Sequence, residues 1–139
     1  TDFVGRTEGF QALVKDLAMQ IAAAAPRWVR REEVPAEVVA KEVEIAKAQA
    51  REQKKPEAIL EKIATGKVDK FYSEFCLLEQ PFVKDDKKKV QDVVTEAIAK
   101  IGENIQVRRF ARFGVGEGLE KKQENLAEEV AKTAAAAKK

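Results

Sequence analysis

The residues of this 139-residue chain that could do chemistry fall into a few small groups. Gly114-Val115-Gly116-Glu117-Gly118 has the glycine density of a phosphate loop, where backbone N–H groups cradle an anion. It lacks the GxxxxGK[ST] pattern and its spacing misses GxGxxG, so a hinge is the alternative reading. Glu79, Asp85 and Asp86 could share a proton or hold a hard cation. Lys84, Lys87, Lys88 and Lys89 crowd them, as in a solvated capping turn. Arg108, Arg109 and Arg112 could meet nucleic-acid phosphates, yet strand alternation sends Arg108 and Arg112 to one face and Arg109 to the other. Only Phe110 is available to stack a base beside them, and salt bridging to a partner or to the protein's own helices competes. Cys76, between Phe75 and Leu77-Leu78, reads as a small core residue rather than a reactive thiol. Asp2-Phe3, followed by Gly5 and a helix cap, has two readings. The Phe either projects from a rigid tip, where it would bury roughly 150–250 Å² in a partner, or is an ordinary core residue.

Composition removes most other chemistry. The chain has no His and one Cys. Imidazole metal sites, Ser-His-Asp and Cys-His catalysis, an intramolecular disulfide and a CxxC pair are therefore excluded. Ser73 is the sole serine. Lys and Arg total 26 against 24 Asp and Glu, a formal net charge of +2, too balanced to predict a nucleic-acid binder. Hydrophobic residues make up 45% and charged residues 36%, so a real core is affordable and the surface is highly charged. The longest uncharged stretch, Leu17 to Pro26, is too short for a membrane span.

The elements that must position these groups are mostly helical. Asp2-Phe3-Val4 reads as the end of a strand. Thr7 caps a helix with Phe10, Leu13, Val14, Leu17, Ala18 and Ile21 on one face, and Pro26 ends it. Arg27 to Arg30 reads as a short extended piece. Pro35 opens a helix to about Gln53, with Val38, Val39, Val43 and Ala46 inward. Pro56 opens another, broken at Gly66 and resumed by Val68, Phe71, Tyr72 and Phe75. Leu77 to Val83 is an extended connector, since Pro81 biases Gln80 away from helix. Asp85 or Asp86 caps a helix carrying Val90, Val93, Val94, Ala97, Ile98 and Ile101, stopped by Gly102. Ile105 to Phe113 reads as the one convincing strand. After the Gly-rich joint, Leu119 to the end reads as a marginal helix. One strand cannot make a sheet, so further strands must come from elsewhere. The expected fold class is α+β: several amphipathic helices packed on a small antiparallel sheet, with a C-terminal helix after the joint.

Taken in order, several segments resemble translation elongation factor Ts. They are Thr1-Asp2-Phe3-Val4-Gly5-Arg6 with Phe10, Pro35-Ala36-Glu37, Lys55-Pro56, Glu61-Lys62-Ile63 and Leu78-Glu79-Gln80-Pro81-Phe82-Val83. The run Lys100-Ile101-Gly102-Glu103-Asn104-Ile105-Gln106-Val107-Arg108-Arg109-Phe110 and then Phe113 to Lys121 complete the match. Position 5 is Gly where the family usually has Ala, and the segment also resembles the versions of cyanobacteria and plastids.

The resemblance implies a core (dimerisation) domain over residues 1–113 and a joint with a C-terminal helical module over 114–139. The family's N-terminal helical domain is absent from the match. It implies a guanine-nucleotide exchange factor for the GTPase elongation factor Tu, working by protein binding without catalytic residues, cofactor or metal of its own. Asp2 and Phe3 would reach the GTPase near its magnesium site, and Ile101 and Gly102 would lie close to the same contact. It further implies pairing of two copies, proximity to ribosomes, and a bacterial cytoplasm or a chloroplast stroma. The alternative is a ribosome-associated structural module of an elongation factor Ts-containing polyprotein that does not exchange nucleotide.

Overall fold

The computed structural model describes residues 1–118 of the chain. Helix α1 spans Glu8–Ala24, α2 Ala36–Glu52, α3 Glu57–Phe75 and α4 Val90–Ile101. Strands β1, Pro81–Phe82, and β2, Asp85–Lys89, form an antiparallel hairpin between α3 and α4. Helices packed on a small antiparallel sheet make this an α+β fold.

Local chemistry explains the helix ends. The Thr7 hydroxyl accepts from Phe10 N at 3.4 Å and donates to Val4 O at 2.7 Å, capping α1. Ala25, in the left-handed region at φ 45°, ends that helix just before Pro26. Pro35 and Pro56 stand immediately before α2 and α3, where their missing N–H costs nothing. Gly102, at φ 76°, closes α4 with its N–H donating to Ile98 O at 2.8 Å, a conformation that favours glycine.

Helices α2 and α3 pack along each other as a hairpin, burying Ala46 and Ala50 on one and Leu60, Ala64 and Val68 on the other. Ion pairs Arg51–Glu57 and Lys47–Glu61 flank its tip. At its base a core forms around Val34, Phe71 and Cys76, with Trp28, Tyr72 and Phe75 packed against it. A second core centres on Leu77, Phe82 and Val90, covered by Leu17 and Ile21 of α1, Val93 of α4, and Val107 and Phe110. Trp28 forms an isolated parallel bridge with Cys76, matching the short extended piece expected there.

Several expectations fail for identifiable reasons. Asp2-Phe3-Val4 is not a strand end. A 3-10 turn runs over Val4–Arg6, with Gly5 N donating to Thr1 O and Thr7 N to Val4 O. A turn satisfies itself locally, whereas a strand needs a neighbour. Gly66 does not break α3, which is continuous through it. One exposed glycine costs only about 1 kcal/mol relative to alanine, less than the buried face on either side returns. Asp85 and Asp86 lie in β2, and α4 begins after Lys89, whose N–H donates to the Asp92 carboxylate at 2.9 Å. Ile105 to Phe113 forms no strand. Ile105 and Val107 are half-buried and their neighbours exposed, as alternation demands. Yet among the described residues the segment's recorded bond is Arg30 Nη2 donating to Val107 O at 3.2 Å. Side-chain alternation was right, but a ladder needs a second backbone. The expected C-terminal helix lies outside the described residues.

Candidate partner-binding site

One end of the α1–α4 pair carries the residues singled out at both ends of the sequence. Phe3 is 89% exposed, so its core reading is excluded. Asp2, Phe3 and Arg6 line a shallow cavity of about 290 Å³. Thr7 fixes where α1 begins, and the turn before it aims this short segment away from the core.

Ile101 and Gly102 come from the far end of α4. A Cβ built on Gly9, in the first turn of α1, would meet Ile101 Cγ1 and Cδ1 at 4.0 Å. A Cβ there would be in ordinary van der Waals contact, so the end of α4 lies beside the first turn of α1. Ile101 is half-buried and Gly102 exposed. The next residue links the two segments: the Thr1 hydroxyl donates to Glu103 Oε1 at 2.8 Å, and the Thr1 amino group lies 2.8 Å from Oε2. These contacts, with the amino group first, hold the Glu103 carboxyl below the usual glutamate range. Neither Glu103 nor Gly9 stood out in the sequence. Glu103 carried a signal only through its place next to Ile101-Gly102.

The other chemical candidates are used structurally. Gly114 N donates to Glu117 Oε2 at 2.9 Å and Glu117 N to Gly114 O at 3.1 Å. A carboxylate thus occupies the loop N–H that a phosphate would need, while Gly116 and Gly118 adopt φ of 78° and 80°, as a glycine joint requires. Glu79 is bound by Arg31 in a fork, 2.7 Å from Nε and 2.6 Å from Nη2. That bond lowers the Glu79 carboxyl, against the opposing effect of burial. Asp85 accepts from Lys87 N at 3.2 Å. No three potential metal ligands cluster among the described residues. Arg108, Arg109 and Arg112 are exposed, and Phe110, half-buried, packs on the second core. Cys76 is fully buried, and burial pushes its thiol up to about 11, which makes it unreactive at neutral pH.

What remains is a small α+β protein of helices on a two-stranded sheet, with Phe3 and Phe113 both largely exposed among its described residues. Residues 4–97 match the family model described as Elongation factor TS. The chain is 86% identical over 134 residues to Elongation factor Ts of Anaeromyxobacter sp. (strain K), covering 96% of this chain and 61% of that one. It is 61% identical over 134 residues to that of Geobacter sulfurreducens, and 58% over 130 residues to that of Heliobacterium modesticaldum. The chain belongs to the elongation factor Ts family. It spans about 61% of the length of the Anaeromyxobacter relatives it matches. Asp2, Phe3, Ile101 and Gly102 fall just outside the matched span of the family model.

Proposed function

We propose that this chain acts as a guanine-nucleotide exchange factor in translation elongation, promoting GDP release from the GTPase elongation factor Tu. The observation that carries this reading is Phe3, almost fully exposed at the start of a turn whose Thr1 bonds Glu103, the residue after Gly102. An exchange factor needs no nucleophile. It binds the nucleotide-free partner more tightly than the nucleotide-bound one, and by linkage weakens nucleotide binding by the same factor. Magnesium neutralises the nucleotide phosphates in the partner. An aromatic that enters near that ion and shifts the elements holding it raises the free energy of the nucleotide-bound state. Asp2 and Phe3 provide the entering pair, and Ile101 with Gly102 the adjoining surface.

The residues to 113 form the core that presents this tip, and 114–139 the joint and C-terminal module. The bacterial relatives support a bacterial cytoplasmic setting over a chloroplast one. Pairing of two copies and proximity to ribosomes belong to the same reading, and sedimentation of the chain alone and with ribosomes measures each.

The deciding experiment mixes the chain with elongation factor Tu loaded with fluorescent GDP. Accelerated release that disappears in Phe3→Ala is the expected result. Binding to ribosomes with no acceleration of release would instead favour the non-exchanging structural module.

A further inference from the structure

Two segments 102 residues apart in sequence meet at the tip, and their contact has an apolar and a polar half. The apolar half is Gly9 against Ile101. The polar half is Thr1, held from two sides. Its hydroxyl donates to Glu103 Oε1 at 2.8 Å and is approached by Val4 N at 3.5 Å, while its carbonyl accepts from Gly5 N at 3.1 Å. Thr1 therefore ties the turn that carries Phe3 to the residue just beyond Gly102.

We infer that Glu103 is a positioning residue for the partner-binding tip, fixing the turn of residues 1–6 against the end of α4 through the Thr1 hydroxyl. This rests on the proposed reading of that tip as the contact surface. Phe3 receives no orientation from a core, because almost all of it is exposed. Its direction must come from the backbone of the turn, and the turn's own bonds are local. Among the described residues, the recorded hydrogen bonds between that turn and the segment at Ile101 and Gly102 are those of Thr1 with Glu103. A surface ordered before binding spends less of the interaction energy on ordering. Glu103 itself need not touch the partner.

The test uses the full chain and four variants: Glu103→Ala, Glu103→Gln, Thr1→Val, and Glu103→Ala combined with Thr1→Val. Thr1→Val removes the hydroxyl and leaves the backbone unchanged. The first readout is amide hydrogen exchange at Gly5, Arg6 and Thr7, which needs no partner. Losing one such hydrogen bond predicts about 3–10-fold faster exchange there in Glu103→Ala and Thr1→Val, with the centre of α4 unchanged. The double variant should fall short of the product of the two single effects, since both changes break the Thr1–Glu103 contact and Thr1→Val adds only the loss of the long Val4 N bond. Glu103→Gln keeps one acceptor for the Thr1 hydroxyl but sets an amide NH2 against the Thr1 nitrogen, so it should fall between the parent and Glu103→Ala.

The second readout is dissociation from the nucleotide-free GTPase, expected to follow the same order. Unchanged exchange at the turn, additive effects in the double variant, or damage from Glu103→Gln equal to that from Glu103→Ala would each overturn the inference. Should the parent chain fail to bind the GTPase, the contact reading falls, while the hydrogen-exchange pattern still decides the clamp.

Discussion

The two ends of helix α1 solve opposite problems. At its N-terminal end, the turn over Val4–Arg6 buries no residue and leaves Phe3 in solvent. At its C-terminal end, Gln20 is completely buried and every polar group it carries is used. Gln20 Nε2 donates to Gln80 Oε1 and to Pro81 O, both at 3.1 Å, and its Oε1 accepts from Val83 N at 2.8 Å. Gln80, equally buried, donates from Nε2 to Glu74 O at 2.7 Å and to Ala24 O at 3.4 Å. This pair of amides joins α1, the end of α3 and the β-hairpin. The contrast teaches where each kind of energy is kept. The amide junction is satisfied inside the chain and so stabilises the fold. The aromatic tip is unsatisfied inside the chain, and its burial remains available to a partner.

Breaking the junction should give the largest effect. Gln20→Leu takes the partner from the buried Gln80 Oε1 and from the Val83 N–H, while Gln80 Nε2 keeps Glu74 O and Ala24 O, and is expected to cost about 1–3 kcal/mol in urea unfolding. The tip should respond in the opposite way. Phe3→Ala should leave stability within about 0.5 kcal/mol while weakening binding to the nucleotide-free GTPase by about 30-fold or more, as for a buried aromatic anchor worth about 2 kcal/mol. A variant that lost stability and binding together would collapse the comparison.

Smaller effects sharpen the structural side. Gly66 is exposed in the middle of α3, and a Cβ there meets nothing within 4 Å. Gly66→Ala should therefore raise stability by up to about 1 kcal/mol, with no change in binding. The Arg31–Glu79 fork should make stability depend on pH. The Glu79 carboxyl is held below its ordinary value by the Arg31 hydrogen bonds. Its contribution is then complete above the usual glutamate range and is lost as pH falls through the lowered value. Arg31 is nearly half exposed, so screening limits the effect to about 1 kcal/mol or less. The urea midpoint should fall less steeply between about pH 5 and 3 in Glu79→Gln than in the parent. Finally, the buried Cys76 thiol, pushed up to about 11, should react with a thiol reagent only when the chain unfolds.

Much of this contrast was legible in the sequence, unevenly. Thr7, Pro35, Pro56 and Gly102 mark helix boundaries because capping and proline chemistry act within a few residues. The apolar stripes of α1 and α4 follow from helical spacing alone. Gly66 misled because its local penalty is small beside the packing of a 19-residue helix. Ile105 to Phe113 misled in a more informative way, since its side chains alternate as a strand's do but no second backbone bonds to it among the described residues. Gln20 and Gln80 gave no sign at all. A glutamine in a sequence reads as surface until its partner, 60 residues away, is brought to it.

By itself, then, the sequence determined what is local or compositional. It set the helices and their ends, excluded histidine and paired-cysteine chemistry, and carried the motifs that resemble elongation factor Ts. The tertiary structure alone decided that Phe3 faces solvent, that Glu103 meets Thr1, and that two glutamines lock one end of α1. The physical reason is range. Capping and periodicity are settled within a turn or two of chain, whereas exposure and polar satisfaction depend on which distant segments arrive at the same place.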